Sequence, residues 1–225
     1  MTAALHPAVP RHAVLDATRA FDGWLRFHRR VDRVPGVQAA VLHEDEVVLS
    51  MACGLADVER DVPLTTHHRF RIASHSKTFT ATAILQLVEL GQLRLDDTLA
   101  THLDELAGSP VADVTLRELL GHASGITRDG HDGDFWQLSH PFLDADDLLA
   151  LVRGHQGVVL GRDERFKYSN IGYSLLGLVI EAVTGTRYVE HVRHAVIEPL
   201  GLTRTTPELE ADHLGLHVTG YTGLA

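Results

Sequence analysis

The chain is 225 residues long, 44% apolar, and carries a formal charge of −10. That length allows one large domain or two small lobes with ample core, and the acidity, with no basic cluster beyond Arg29-Arg30, argues against nucleic acid as a partner. A single cysteine, Cys53, excludes an internal disulfide, and no apolar run approaches the length of a membrane span.

Residues Met1 to Asp22 mix His, Pro, Arg and Asp without a continuous apolar stretch, so no signal peptide is expected and a soluble cytoplasmic protein fits. Ala13 to Arg30 then reads as an amphipathic helix, with Val14, Leu15, Phe21, Trp24, Leu25 and Phe27 on its apolar side. Val34-Pro35-Gly36 breaks it. Val37–His43 and Glu46–Cys53, separated by Glu44-Asp45, form an expected antiparallel hairpin, and Gly54 to Thr66 reads as loop.

Phe70-Arg71-Ile72-Ala73 leads into Ser74 and a helix predicted to run to Leu90 and to stop at Gly91. Phe79, Ala81, Ala83, Ile84, Leu85, Leu87, Val88 and Leu90 cover most of its circumference, which predicts burial between layers. Thr115-Leu116-Arg117-Glu118 is a capping box before Leu119-Leu120 and Gly121. Gly121 to Asp134 is rich in turn residues, including Asp129-Gly130. Asp144 to Arg153 reads as a capped helix ending at Gly154, Ile171 to Thr184 as a second closed by Gly185, and Tyr188 to Ile197 as a third before Glu198-Pro199-Leu200-Gly201. Leu202 to Ala225 lacks periodicity. No internal repeat appears.

Two short patterns carry chemistry. If Ser74 opens its helix, Lys77 lies one turn on, on the same face. A serine hydroxyl needs a neighbouring base, and an amine serves if partly neutral, a state favoured by apolar surroundings and by the positive end of the helix dipole. The same dipole favours an oxyanion formed at Ser74. The competing reading makes Ser74 a helix cap and leaves Lys77 solvated. Tyr168-Ser169-Asn170 sits at a loop-to-helix junction, where the first and third residues project to one side. A phenol beside an ammonium has its phenolate favoured, so Tyr168 near Lys77 suits a general base that becomes the acid for a leaving group. Asn170 offers a donor and an acceptor, suited to positioning Lys77 and a substrate carbonyl. Alternatively Asn170 caps the following helix, with Tyr168 as its apolar lead-in.

These stretches, together with Leu119-Leu120-Gly121-His122-Ala123-Ser124-Gly125-Ile126, resemble the penicillin-recognising serine hydrolases, in the branch of class C β-lactamases, related esterases and D-aminopeptidases. Glu198-Pro199-Leu200-Gly201-Leu202 and Thr219-Gly220-Tyr221 are weaker echoes, and the likeness runs from about Asp22 onward. The resemblance implies an α/β (α+β) fold of the β-lactamase/transpeptidase type: an N-terminal helix and hairpin (1–73), a helical lobe (74–200) and a tail (201–225). It implies Ser74 as the acylated nucleophile, Lys77 as its amine partner, Tyr168 as the catalytic phenol and Asn170 as the substrate-side amide, with the Ser74 N–H as half of an oxyanion hole. Leu119 to Ile126 is expected to be architectural, and Ser124 not catalytic. No cofactor is implied.

The resemblance also implies a Lys-Thr-Gly or His-x-Gly on a later strand, and His217-Val218-Thr219-Gly220 is a poor match for it. The expectation is a piece lacking the C-terminal strands of the sheet, or a sheet completed by another chain, with self-association through the unpaired hairpin edge. The expected activity is hydrolysis of small esters or D-amino-acid amides, in preference to β-lactams, through an acyl-enzyme. The alternative is a non-catalytic binding fragment. Sixteen histidines raise a zinc reading, but His191/His194 and His213/His217 lack the His-Glu-x-x-His arrangement, and no metal site is expected. Phe135, Trp136 and Phe142, within His131 to Leu143, either wall a substrate pocket or anchor an ordinary loop.

Overall fold

The structure, a computed structural model, describes residues 9–130, 142–154 and 157–221. It divides into two compact units: residues up to Arg71 together with those from Leu209 on, and the segment Ile72–Glu208.

The first unit is a helix on a small sheet. α1 (Arg11–Val31) carries Arg29 and Arg30 in its last turn, cations placed where the helix dipole is negative. It packs on β1 (Gly36–His43) and β2 (Glu46–Asp57) through a face that includes Thr18 and Leu25. Phe21, Trp24, Phe27 and Val31 recur on another face and stay exposed. The apolar side read from the sequence is therefore split, because the sheet accepts one stripe of the helix and not the whole side.

Glu44 and Asp45 turn the hairpin with φ of 49° and 63°. Left-handed backbone at both central residues gives the turn whose twist matches that of paired strands. The register sets Ala39 opposite Met51 and His43 opposite Glu46. Beyond Cys53 the chain does not become a loop: β2 continues to Asp57 and pairs antiparallel with β3 (Val62–Pro63), giving the order β1-β2-β3. Gly54 makes this continuation possible, since a Cβ there would lie 2.2 Å from the Pro35 carbonyl oxygen, at φ +91°. The tail is tied to the same unit. His217 forms a parallel bridge with Arg69, the Thr219 N–H donates to Ala56 O at 2.8 Å, and the Val58 N–H donates to the Tyr221 hydroxyl at 2.6 Å. The hairpin edge at β1 has no further strand beside it among the described residues.

The second unit is helical. It holds α2 (Ser76–Glu89), the short α3 (Leu99–His102) and α4 (Leu116–Leu120), α5 (Ala145–Arg153), α6 (Asn170–Thr184) and α7 (Tyr188–Val192), which runs into a π-helical turn at Arg193–Ile197. The helix at the middle of this core is α6, which touches α2, α3, α4, α5 and α7 and buries Ile171, Leu175, Leu176, Val179 and Ile180. α2 is buried on one face only, through Thr80, Ala83, Ile84 and Leu87, while Leu85 and Leu90 are 50% and 71% exposed. The all-round apolar pattern thus overstates the burial of α2, because neighbours cover one side of it. The caps follow the sequence closely: Thr115 and Glu118 form the capping box, the Asp144 side chain accepts from the Asp147 N–H, and Gly185 closes α6 in the left-handed conformation at φ 67°. No helix among the described residues is long and apolar enough to cross a membrane.

Candidate active site

The candidate site lies wholly within the helical unit. Ser74 sits in a single 3-10 turn, Ala73–His75, that runs directly into α2 at Ser76. Ala73 immediately before it has φ +44°, a left-handed value uncommon for a residue with a Cβ. The chain therefore turns sharply into Ser74, which is exposed. Lys77, in the first turn of α2, is half-buried.

Tyr168 and Asn170 flank the start of α6, and the cap between them is Ser169. Its hydroxyl accepts from the Gly172 N–H at 2.8 Å and donates to Thr127 O at 2.8 Å. Sequence alone left Asn170 as a possible cap. With Ser169 in that position, the Asn170 side chain is free of the helix terminus and works elsewhere. The stretch after α4 holds this junction from the other side. His122 O accepts from the Lys167 N–H at 2.7 Å, His122 Nδ1 accepts from the Ser169 N–H at 3.2 Å, and Arg128 O accepts from the Asn170 N–H at 2.9 Å. Gly125 lets this stretch pass close to the next strand-like segment, since a Cβ would meet Leu160 O at 2.1 Å, at φ +73°. Ser124 is buried, its hydroxyl accepting from the Ile126 N–H at 3.4 Å.

The side chains then converge. The Tyr168 hydroxyl lies 2.6 Å from Ser74 Oγ, and Lys77 Nζ donates to Asn170 Oδ1 at 2.5 Å. Lys77 Nζ also stands 4.9 Å from the centre of the Tyr168 ring. Tyr168, and not Lys77, holds the hydrogen bond to the serine. Burial pushes the Tyr168 phenol up, but hydrogen bonds with Lys77 and Ser74, and the charges of Lys77 and Arg128, outweigh it, so the phenol titrates below its ordinary value. The neighbouring Tyr173 is pushed the other way by burial and by Tyr168. His122, whose ring lies 4.5 Å from that of Tyr168, is held below its ordinary value by burial and then by the Lys77 charge. It is neutral when its Nδ1 accepts from Ser169.

Two residues of this site were not singled out from the sequence. Asp129 Oδ1 accepts from Asn170 Nδ2 at 2.5 Å, and Arg128 Nε contacts Asp129 Oδ2 at 3.0 Å. Asp129-Gly130 reads as a turn dipeptide, which hides the carboxylate's second use. Beside Lys77 and Asn170 a cavity of about 420 Å³ opens, walled by Phe142, Leu143, Leu148 and Tyr188. Phe142 is 46% exposed. Phe135 and Trp136 lie outside the described residues. Among the described residues no group of three or more His, Cys, Asp or Glu is arranged to hold a metal ion.

The family profile described as Beta-lactamase matches residues 25–221. Penicillin-binding protein 4 of Amycolatopsis lactamdurans is 34% identical over 194 residues, 80% of this chain and 47% of that protein. Protein flp of Staphylococcus aureus (strain COL) is 28% identical over 194 residues, 85% of this chain and 38% of that protein. The crystal structure of a class C beta lactamase from Rhodobacter sphaeroides superposes with a TM-score of 0.73 at 28% identity, covering 91% of this chain and 54% of that one. The chain therefore spans less than half the length of these two curated relatives.

Proposed function

Since the chain belongs to the Beta-lactamase family, whose profile covers residues 25–221, we propose that it is a serine acyl hydrolase acting through an acyl-enzyme on Ser74. Small esters or amides are the proposed substrates, D-amino-acid amides among them. The observation that carries the reading is the 2.6 Å contact between the Tyr168 hydroxyl and Ser74 Oγ.

As phenolate, Tyr168 takes the Ser74 proton while Oγ attacks the acyl carbon. Collapse of the tetrahedral species breaks the bond to the leaving group, and the Tyr168 phenol returns the proton to the departing alkoxide or amine. Water then attacks the acyl-enzyme, giving its proton to Tyr168. The acid leaves as Ser74 Oγ recovers that proton. Lys77 keeps the phenolate accessible through its charge and hydrogen bond, and Asn170 fixes the lysine.

A second reading, ligand binding without turnover, rests on the partial coverage of the relatives. Hydrolysis of a panel of p-nitrophenyl esters and amino-acid p-nitroanilides separates the two. A rate above background that disappears in Ser74→Ala supports the enzyme. Equal rates in both proteins sink it.

A further inference from the structure

We propose that Asp129 is a positioning residue of this site: it sets which end of the Asn170 amide faces Lys77. The proposal rests on the serine hydrolase reading for its chemical consequence, and on geometry alone for the contact.

An amide side chain is nearly symmetric in shape, so its oxygen and nitrogen exchange places by a half-turn that leaves the packing unchanged. For Asn170 the two ends are not equivalent in charge. On one side is Lys77 Nζ, a donor, and on the other is Asp129 Oδ1, an acceptor, each at 2.5 Å. The observed orientation satisfies both. The flipped one places the amide nitrogen against the ammonium and the amide oxygen against the carboxylate, so both contacts turn repulsive at once. Lys77 alone biases the amide. Asp129 makes the bias two-sided.

Asp129 is itself held for this purpose. Its side chain is 16% exposed, and its other oxygen is paired with Arg128 Nε at 3.0 Å. The backbone of the same dipeptide grips Asn170 from behind, because Arg128 O accepts the Asn170 N–H at 2.9 Å and the Ile171 N–H at 3.2 Å. Residues 128 and 129 thus fix the start of α6 by its main chain and the Asn170 amide by its side chain. By valence, one Asn170 Nδ2 proton is spent on Asp129, and the other remains for a substrate. Lys77, located by Asn170 Oδ1, is in turn the group that favours the Tyr168 phenolate. Asp129 acts through Asn170 and Lys77 and touches no reacting atom.

The near-isosteric Asp129→Asn removes the charge and can present either end to Asn170, while Asp129→Ala removes the acceptor. Two readouts of the full chain decide the matter. The first is the ¹H–¹⁵N signal of the Asn170 side-chain amide, assigned by its loss in Asn170→Ala. In wild type one of its protons is expected downfield and slow to exchange with solvent, and in both variants it moves back and exchanges faster. The second is labelling of Ser74 by a fluorophosphonate, expected to slow roughly ten- to a hundredfold through kinact with KI unchanged, less in Asp129→Asn than in Asp129→Ala. Thermal melting establishes that the variants are folded. An Asn170 signal identical in wild type and variants overturns the proposal, as does unchanged kinact in both. A wild-type chain that is not labelled sinks the hydrolase reading instead, and the amide signal still judges the Asp129 contact on its own.

Discussion

In the unit from Ile72 to Glu208, side chains such as Ile84, Leu99, Leu106, Leu116, Leu176 and Ile180 are closed off from solvent. In the helix-and-sheet unit, the buried apolar side chains among the described residues are Met51, Ala56 and Leu64, while Phe21, Trp24, Phe27, Leu42 and Val47 are exposed. One unit has finished its core; the other leaves a helix face and a sheet edge open. The difference bears on function because every residue of the candidate site, from Ser74 to Asn170, belongs to the unit with the core. A rigid support behind a reacting constellation is what holds it to the tolerances that chemistry requires. The open unit offers surface instead, and self-association through it is our proposal for what that surface does.

The contrast can be broken at several strengths. The largest effect is expected at the proposed nucleophile and its proposed base: Ser74→Ala should lower ester turnover on the order of a thousandfold or more, and Tyr168→Phe by about a hundred- to ten-thousandfold, with melting temperatures unchanged. If Tyr168→Phe retains full rate, the base has been assigned to the wrong group. Next come the cores. Leu176→Ala, at a fully buried position of α6, should cost about 2–5 kcal/mol in urea unfolding, whereas Trp24→Ala, at an exposed position of α1, should stay within about 0.5 kcal/mol. Similar losses at the two positions would erase the distinction between the units.

A third test uses pH. Burial alone would raise the Glu118 carboxyl, but the bidentate Arg162 contacts at 2.8 and 3.0 Å and the Thr115 hydrogen bonds hold it below its ordinary value. Its stabilisation is present above 4.5 and is lost as pH falls below that value. His122 is depressed too, and since the unfolded chain takes up that proton first, its contribution is full above 6.5 and declines as pH falls. Wild type should therefore melt progressively earlier from pH 7 to pH 4. Glu118→Gln should flatten the acid end, and His122→Asn, whose amide oxygen can replace Nδ1 as acceptor from Ser169, should flatten the part just below 6.5. The smallest effect is expected on assembly: Trp24→Ser with Phe27→Ser should shift sedimentation toward the monomer with little change in melting. Identical sedimentation profiles would remove α1 as a contact surface.

Much of this was legible in the sequence because it is local. Thr115 with Glu118, Asp144 before α5 and Gly185 after α6 announce helix ends through contacts a few residues long, and the structure makes each of them. The Ser74–Lys77 spacing and the Tyr168–Asn170 junction were readable as motifs, and the fold brings all four residues together. What stayed hidden depends on distant partners. The continuation of β2 past Gly54 becomes visible only when Val62 and Pro63 return to pair with it. The half-exposure of α2 depends on which neighbours arrive. Ser169 took the cap that Asn170 also suited, a choice made by Thr127 and Asp129, 42 and 41 residues earlier in the chain than the groups they hold. Asp129 itself looks like half of a turn until Asn170 is placed against it.

The most direct test of the central claim, that a working nucleophile is assembled inside the helical unit, is the intact mass of the purified chain after exposure to a fluorophosphonate, with peptide mapping of the adduct. Attack of Ser74 Oγ on phosphorus expels fluoride, so the mass records one covalent event per activated serine. The account predicts a single adduct on Ser74 that is lost or greatly slowed in Lys77→Ala. An unlabelled chain that is folded by circular dichroism, or an adduct on another serine, would contradict it.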